Sequence, residues 1–205
     1  MPITINGDGS IAGLSVGGLG SGVVNTATLA NGAASGSKLT MPTGSVIQTV
    51  HNFSTTKIET SNDADIISAN ITPSSTSSKI LFMYNGNVAQ ENNSGLEWGF
   101  VAYRNSTKIR LGRDESGNNR LTFQAFGTDN RAAAVNSNGT YTITGVLIDE
   151  PTYTLGDTIT YKLAIDQFYN SGTKPIVKIG ESGWSGTGQE QNNNGYSLTL
   201  MEIKG

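Results

Sequence analysis

Hydrophobic and polar positions alternate with the two-residue period of a β-strand through residues 158–168. There Ile159, Tyr161, Leu163 and Ile165 fall on one face, and Thr158, Thr160, Lys162 and Asp166 on the other. Such a strand is buried on one side. In 79–84 and 98–103 apolar residues occupy both faces, the pattern of a strand covered on two sides by a second sheet or a neighbouring subunit. Further runs predict strands over 46–53, 66–72, 108–111, 121–126, 141–148, 175–179 and 196–203. Turn-forming clusters separate them, among them Thr72-Pro73-Ser74-Ser75, Asn92-Asn93-Ser94-Gly95, Asn136-Ser137-Asn138-Gly139 and Asn170-Ser171-Gly172. This punctuation predicts an all-β head over 46–205, an antiparallel two-sheet β-sandwich with a jelly roll as the leading topology. The pattern leaves the connectivity open.

Residues 1–45 read differently. They hold ten glycines, no aromatic residue and two charged side chains, Asp8 and Lys38. Backbone ordering at about 1–2 kcal/mol per residue is opposed there only by scattered small apolar side chains, so this segment is expected to order only with partners. Leu14, Leu19, Val24, Leu29, Ala34 and Leu39 recur at every fifth position, a spacing that fits neither strand nor helix. A repeated turn unit wound with other copies about a common axis places one apolar residue inward per unit, and glycine permits close backbone approach. A flexible Gly/Ser/Ala linker is the alternative. The segment is therefore expected to be an N-terminal oligomerisation stem, extended and Gly-rich.

Composition narrows the chemistry. Across 205 residues there is no cysteine and one histidine, His51, so thiolate nucleophiles, disulfides, Ser-His-Asp relays and multi-His metal sites lack their parts. A net charge of −3 gives no cationic surface for nucleic acid. The longest apolar runs, 80–84 and 146–148, fall far short of the ~20 residues that span a bilayer, and no basic-then-apolar export signal opens the chain. A soluble protein without cofactor, nucleic-acid partner or membrane insertion is expected.

Individual constellations are weak as chemistry. His51 sits in an expected strand with no carboxylate singled out as its partner. Gly112-Arg113-Asp114-Glu115-Ser116-Gly117-Asn118 lacks the central glycine and distal glutamate of a calcium loop, and reads as a solvated hairpin tip. Asn62-Asp63-Ala64-Asp65 would need oxygens from elsewhere to hold a cation, so no metal site is assigned. Adjacent carboxylates such as Asp149-Glu150 point apart on a strand, and Pro151 marks that strand's end. Trp98 reads as core. The strongest binding candidate is the polar stretch 180–196, where Trp184 lies near Gln189, Gln191, Asn192, Asn193 and Asn194. An aromatic face with nearby amides suits a sugar ring and its hydroxyls; packing of Trp184 on the core or another subunit is the alternative.

Several stretches of the chain belong together: Thr26-Ala27-Thr28-Leu29-Ala30-Asn31-Gly32-Ala33 running to Lys38-Leu39, Ile71-Thr72-Pro73-Ser74-Ser75-Thr76-Ser77-Ser78-Lys79-Ile80-Leu81, and Tyr103-Arg104-Asn105-Ser106-Thr107-Lys108-Ile109. To these add Asp149-Glu150-Pro151, Thr158-Ile159-Thr160-Tyr161-Lys162 and Leu198-Thr199-Leu200-Met201-Glu202-Ile203. With these stretches the chain resembles bacteriophage virion fibre proteins of the kind common in cyanophages and other marine phages. The resemblance implies a homotrimeric tail fibre exposed on the virion. Its stem would join other virion proteins, and its head would adsorb to host cell-surface polysaccharide. It transfers no receptor-contacting residue. A capsid decoration or head-fibre protein is the second expectation, and a depolymerase the third and weakest.

Overall fold

The computed structural model describes residues 4–5, 11–12, 41–91, 98–109, 124–126, 140–167, 176–180 and 195–205. The chain divides between Met41 and Pro42 into two units. In the first, β1 (Thr4–Ile5) pairs antiparallel with β2 (Ile11–Ala12), a hairpin that the composition of this segment does not predict. The stem positions Leu14, Leu19, Val24, Leu29, Ala34 and Leu39 lie outside the described residues.

The second unit is all-β, with no helix among the described residues. Its strands are β3 (Val46–Ser54), β4 (Ile58–Thr60), β5 (Ala64–Ile71), β6 (Lys79–Glu91), β7 (Trp98–Arg104) and β8 (Thr107–Ile109). After these come β9 (Gln124–Phe126), β10 (Thr140–Asp149), β11 (Ile159–Gln167), β12 (Ile176–Ile179) and β13 (Tyr196–Ile203). They form a six-stranded and a five-stranded sheet, with every pairing antiparallel. In the first sheet β6 is the spine. β10 runs along one side of it, while β13 and then β12 share the other, extended outward by β3 and β4. In the second, the order is β5, β11, β7, with β8 and β9 sharing the far side of β7. The pairing is nested in sequence: β3 with β13, β5 with β11, β6 with β10, β7 with β8.

The core lies between the sheets. Ile80, Phe82 and Tyr84 of β6, Leu198 and Leu200 of β13, and Ile143 and Leu147 of β10 face Trp98, Phe100 and Ala102 of β7 and Ile159, Tyr161, Leu163 and Ile165 of β11. The two-residue alternation of β11 thus buries the side the sequence marks as apolar. β7 is buried on both faces from Trp98 to Ala102, as its sequence implies. The second apolar set of β6 is different: Leu81 and Met83 are only half-buried and point away from the core.

β6 continues through Asn85-Gly86-Asn87 to Glu91, beyond the apolar run 79–84 that predicts it. Gly86 is required there because it faces the core where Tyr84 and Tyr196 crowd it. A Cβ at this position would lie 2.5 Å from the Tyr84 hydroxyl and 2.7 Å from Tyr196 Cβ. Outward, Asn87 Oδ1 accepts a hydrogen bond from Thr142 at 3.1 Å.

Candidate functional site

One end of the sandwich is closed by two buried carboxylates. Glu202 on β13 and Asp149 on β10 flank Ile80 of β6 in one cross-strand row, and both point inward. A carboxylate removed from water is tolerated only if its oxygens are occupied, and both sets are.

Glu202 is fully buried. Its Oε1 accepts from the Ser74 amide at 2.8 Å, the Ser75 amide at 3.3 Å and the Ser78 hydroxyl at 2.6 Å. The Ser74 hydroxyl lies 3.2 Å from both oxygens. In the orientation its neighbours require, the Gln48 amide donates to Oε2 and to the Thr72 carbonyl, each at 3.2 Å. The Ser-rich stretch after β5 therefore folds around one acceptor. Tyr153 ties the same loop from outside, donating to the Ser75 carbonyl and accepting from the Ser78 amide at 3.1 Å.

Asp149 receives Arg104 Nη1 at 2.8 Å on each oxygen, and the Tyr161 hydroxyl at 2.6 Å. Glu150, next in sequence, is exposed and pairs with Lys79. The adjacent acids do point apart. Beside them Asn105 adopts a left-handed φ of 52°, which turns the chain between β7 and β8. Its amide donates to the Thr160 carbonyl at 2.7 Å, and its side-chain oxygen accepts from the Thr160 amide at 3.0 Å. At this end, where the chain enters the head, the Gly44 amide donates to the Lys204 carbonyl at 2.7 Å and the Lys204 amide to the Ser45 carbonyl at 2.9 Å, just ahead of β3.

Burial pushes the Tyr161 hydroxyl well above the usual phenol range, and its hydrogen bond to Asp149 adds to the shift. The Tyr84 hydroxyl is raised likewise, by burial first and then by Tyr196, and among the described residues it has no hydrogen-bond partner. Both rings ionise only once the head opens. Their contribution to stability is complete below the ordinary value of 10.0 and is lost as pH rises above it. Urea unfolding between pH 8 and 11 is expected to show stability level at first and falling above about pH 10. Tyr84→Phe should make that fall shallower by up to about 1.4 kcal/mol per pH unit. An unchanged slope would contradict the assignment.

At the opposite end, the strand ends leading into 92–97, 127–139 and 168–175 lie together. Trp184, Gln189, Gln191, Asn192, Asn193 and Asn194 lie outside the described residues, as does 112–118, but the two anchors of 181–194 are defined. Gly180, at a φ of 75°, donates to the Asn87 carbonyl at 3.3 Å. Gly195 lies against the Phe53 ring so closely that an added Cβ would come within 2.2 Å of it. Next to this second anchor is an open hollow of about 340 Å³ lined by Asn52, Phe53, Ser54, Asp65, Ile66, Ile67 and Ser68. Phe53 is 59% exposed, an aromatic face beside an amide and a carboxylate. Sequence alone does not single it out, since it reads as one more apolar strand residue.

Trp98 is core, 1% exposed. His51 is an exposed strand residue whose Nδ1 lies 2.8 Å from the Thr199 hydroxyl. Asp65 accepts from Lys162 at 2.8 and 3.0 Å, and no group of three metal-ligating side chains converges among the described residues. These features define, in the second unit, an all-β arrangement of two antiparallel sheets with a knitted end. No family model matches the chain, and no curated protein matches it.

Proposed function

We propose that the chain is a structural protein of a bacteriophage virion, a homotrimeric tail fibre that recognises glycan on the host surface and breaks no bond. Its head is a jelly roll, a reading supported by the nested pairing of first strand with last, second with second-last and so inward. The observation that carries the functional reading is the polarity of the head. Chain entry, carboxyl terminus and both buried carboxylates share one end, while the ends of β6, β9 and β11 lead into polar segments at the other. A display module needs a rigid base where the chain enters it and polar segments at the far end. The stem joins other virion proteins, and the fibre tip carries three weak sites whose combined avidity exceeds each alone.

Phe53 and Trp184 flank the Gly195 anchor in sequence or in space, and they are the aromatic platforms of this reading. Adsorption to host cells is the test. Trp184→Ala, alone or with Phe53→Ala, should lower adsorption by about tenfold or more through lost avidity. Unchanged adsorption with both replaced would remove this region as the receptor site.

A further inference from the structure

The two outward sheet faces differ in charge. The five-stranded sheet carries Asp65, Lys108, Lys162 and Asp166, tied as the ion pairs Lys108–Asp166 and Lys162–Asp65, with the Lys162 ammonium 4.8 Å from the centre of the Tyr103 ring. Charges laced in this way keep a face in water.

On the six-stranded sheet the Lys178–Glu59 pair joins β12 to β4, but the half of its outward side nearer the chain entry is laced differently. One cross-strand row reads Thr49, Met201, Leu81, Ile148, and the next reads His51, Thr199, Met83, Val146. Neither row holds a carboxylate, a lysine or an arginine. Val146 and Ile148 are 53% and 59% exposed, and Val46, paired with Ile203, is 48% exposed. On this half of the face, charge appears at the margin, where Lys79 pairs with Glu150. One row further from the chain entry, Ser197, Asn85 and Thr144 are polar, with the exposed Phe53 at the row's β3 end.

Leaving Val or Ile side chains in water forgoes about 1.5–3 kcal/mol each. β10, which carries two of them, pairs only with β6 among the described residues, and an apolar edge of this length invites contact. A surface that meets copies of itself must avoid juxtaposing like charges, and the cores of interfaces are depleted of charge. The location agrees. The apolar rows occupy the half of the face next to Val46, a short step along the chain from the unit that ends at Met41 and carries the five-residue apolar repeat.

We propose that this outward face of the six-stranded sheet, centred on Leu81, Met83, Val146, Ile148 and Met201, is the surface through which copies of the head pack together. The number three rests on the fibre reading; the face does not.

Because the natural chain has no cysteine, single thiols report accessibility cleanly. Val146→Cys, and Asn70→Cys on the other sheet as an exposed control, would each be made in the full chain. Mass would be fixed by sedimentation, and modification by a maleimide timed. A multimer is expected in which Val146→Cys reacts about tenfold or more slowly than Asn70→Cys, the difference vanishing in denaturant. A chain that sediments as a monomer throughout, or a multimer in which both thiols react equally fast, would overturn the assignment. Neither result depends on adsorption, so the surface and the receptor reading fail separately.

Discussion

Replacing Glu202 with alanine is expected to lower the stability of the head by about 3–5 kcal/mol. The reason lies in what the carboxylate leaves behind. The amides of Ser74 and Ser75 and the hydroxyl of Ser78 all point at an acceptor in a fully buried position, and alanine offers them neither an oxygen nor room for bulk water. For a head of this size, the loss corresponds to a fall in melting temperature of about 6–20 °C. Glu202→Gln keeps one acceptor but turns an NH2 group toward donors, so an intermediate loss is expected. Thermal unfolding followed by circular dichroism measures both. A Glu202→Ala variant that melts with the natural protein would show that the serine loop is held by something else.

Asp149→Ala is expected to cost about 2–4 kcal/mol, since it strands a partly buried guanidinium and a buried phenol together. Arg104 and Tyr161 share this acceptor, so their losses should not add. Tyr161→Phe in the Asp149→Ala background should cost less than Tyr161→Phe alone, by about 1 kcal/mol or more in a double-mutant cycle. Additive losses would show that the hydroxyl and the carboxylate act independently.

Much of the fold was legible because burial in a sandwich imposes a two-residue period. β11 displays it fully, and the apolar run of β7 correctly announced a strand covered on both faces. Three elements escaped. β4 is a three-residue strand paired with β12, and its single apolar residue, Ile58, is too little to signal a strand. The upper half of β6 contains Asn85-Gly86-Asn87, residues of low strand propensity, and it is held by contacts with Tyr196 and β10 that lie far away in sequence. The β1–β2 hairpin comes from a segment with little apolar mass.

The candidate sites were legible in a different way. The stretches that carry the fibre likeness looked low in complexity, rich in Ser, Thr and Asn. Those of them that lie among the described residues of the head meet at one end of it. The serine run donates to Glu202 of the carboxyl-terminal stretch, Arg104 reaches Asp149, and Asn105 pins Thr160. Their composition follows from the demand for small donors around buried acceptors. No local pattern reveals such a network, because the partners of Glu202 are separated from it by 124–128 residues. The likeness thus falls on scaffold residues, while the candidate receptor contacts, Phe53 apart, lie on segments that carry none of it.

The proposed display of this head at the outer end of a virion fibre is tested by immunogold electron microscopy of particles assembled with the chain, using antibody raised against the head. Label is expected at the tips of tail-attached fibres, clustered in threes, and is expected to be lost when residues 1–41 are deleted. Label spread regularly over the capsid shell would contradict it, and would make the protein a decoration of the shell instead.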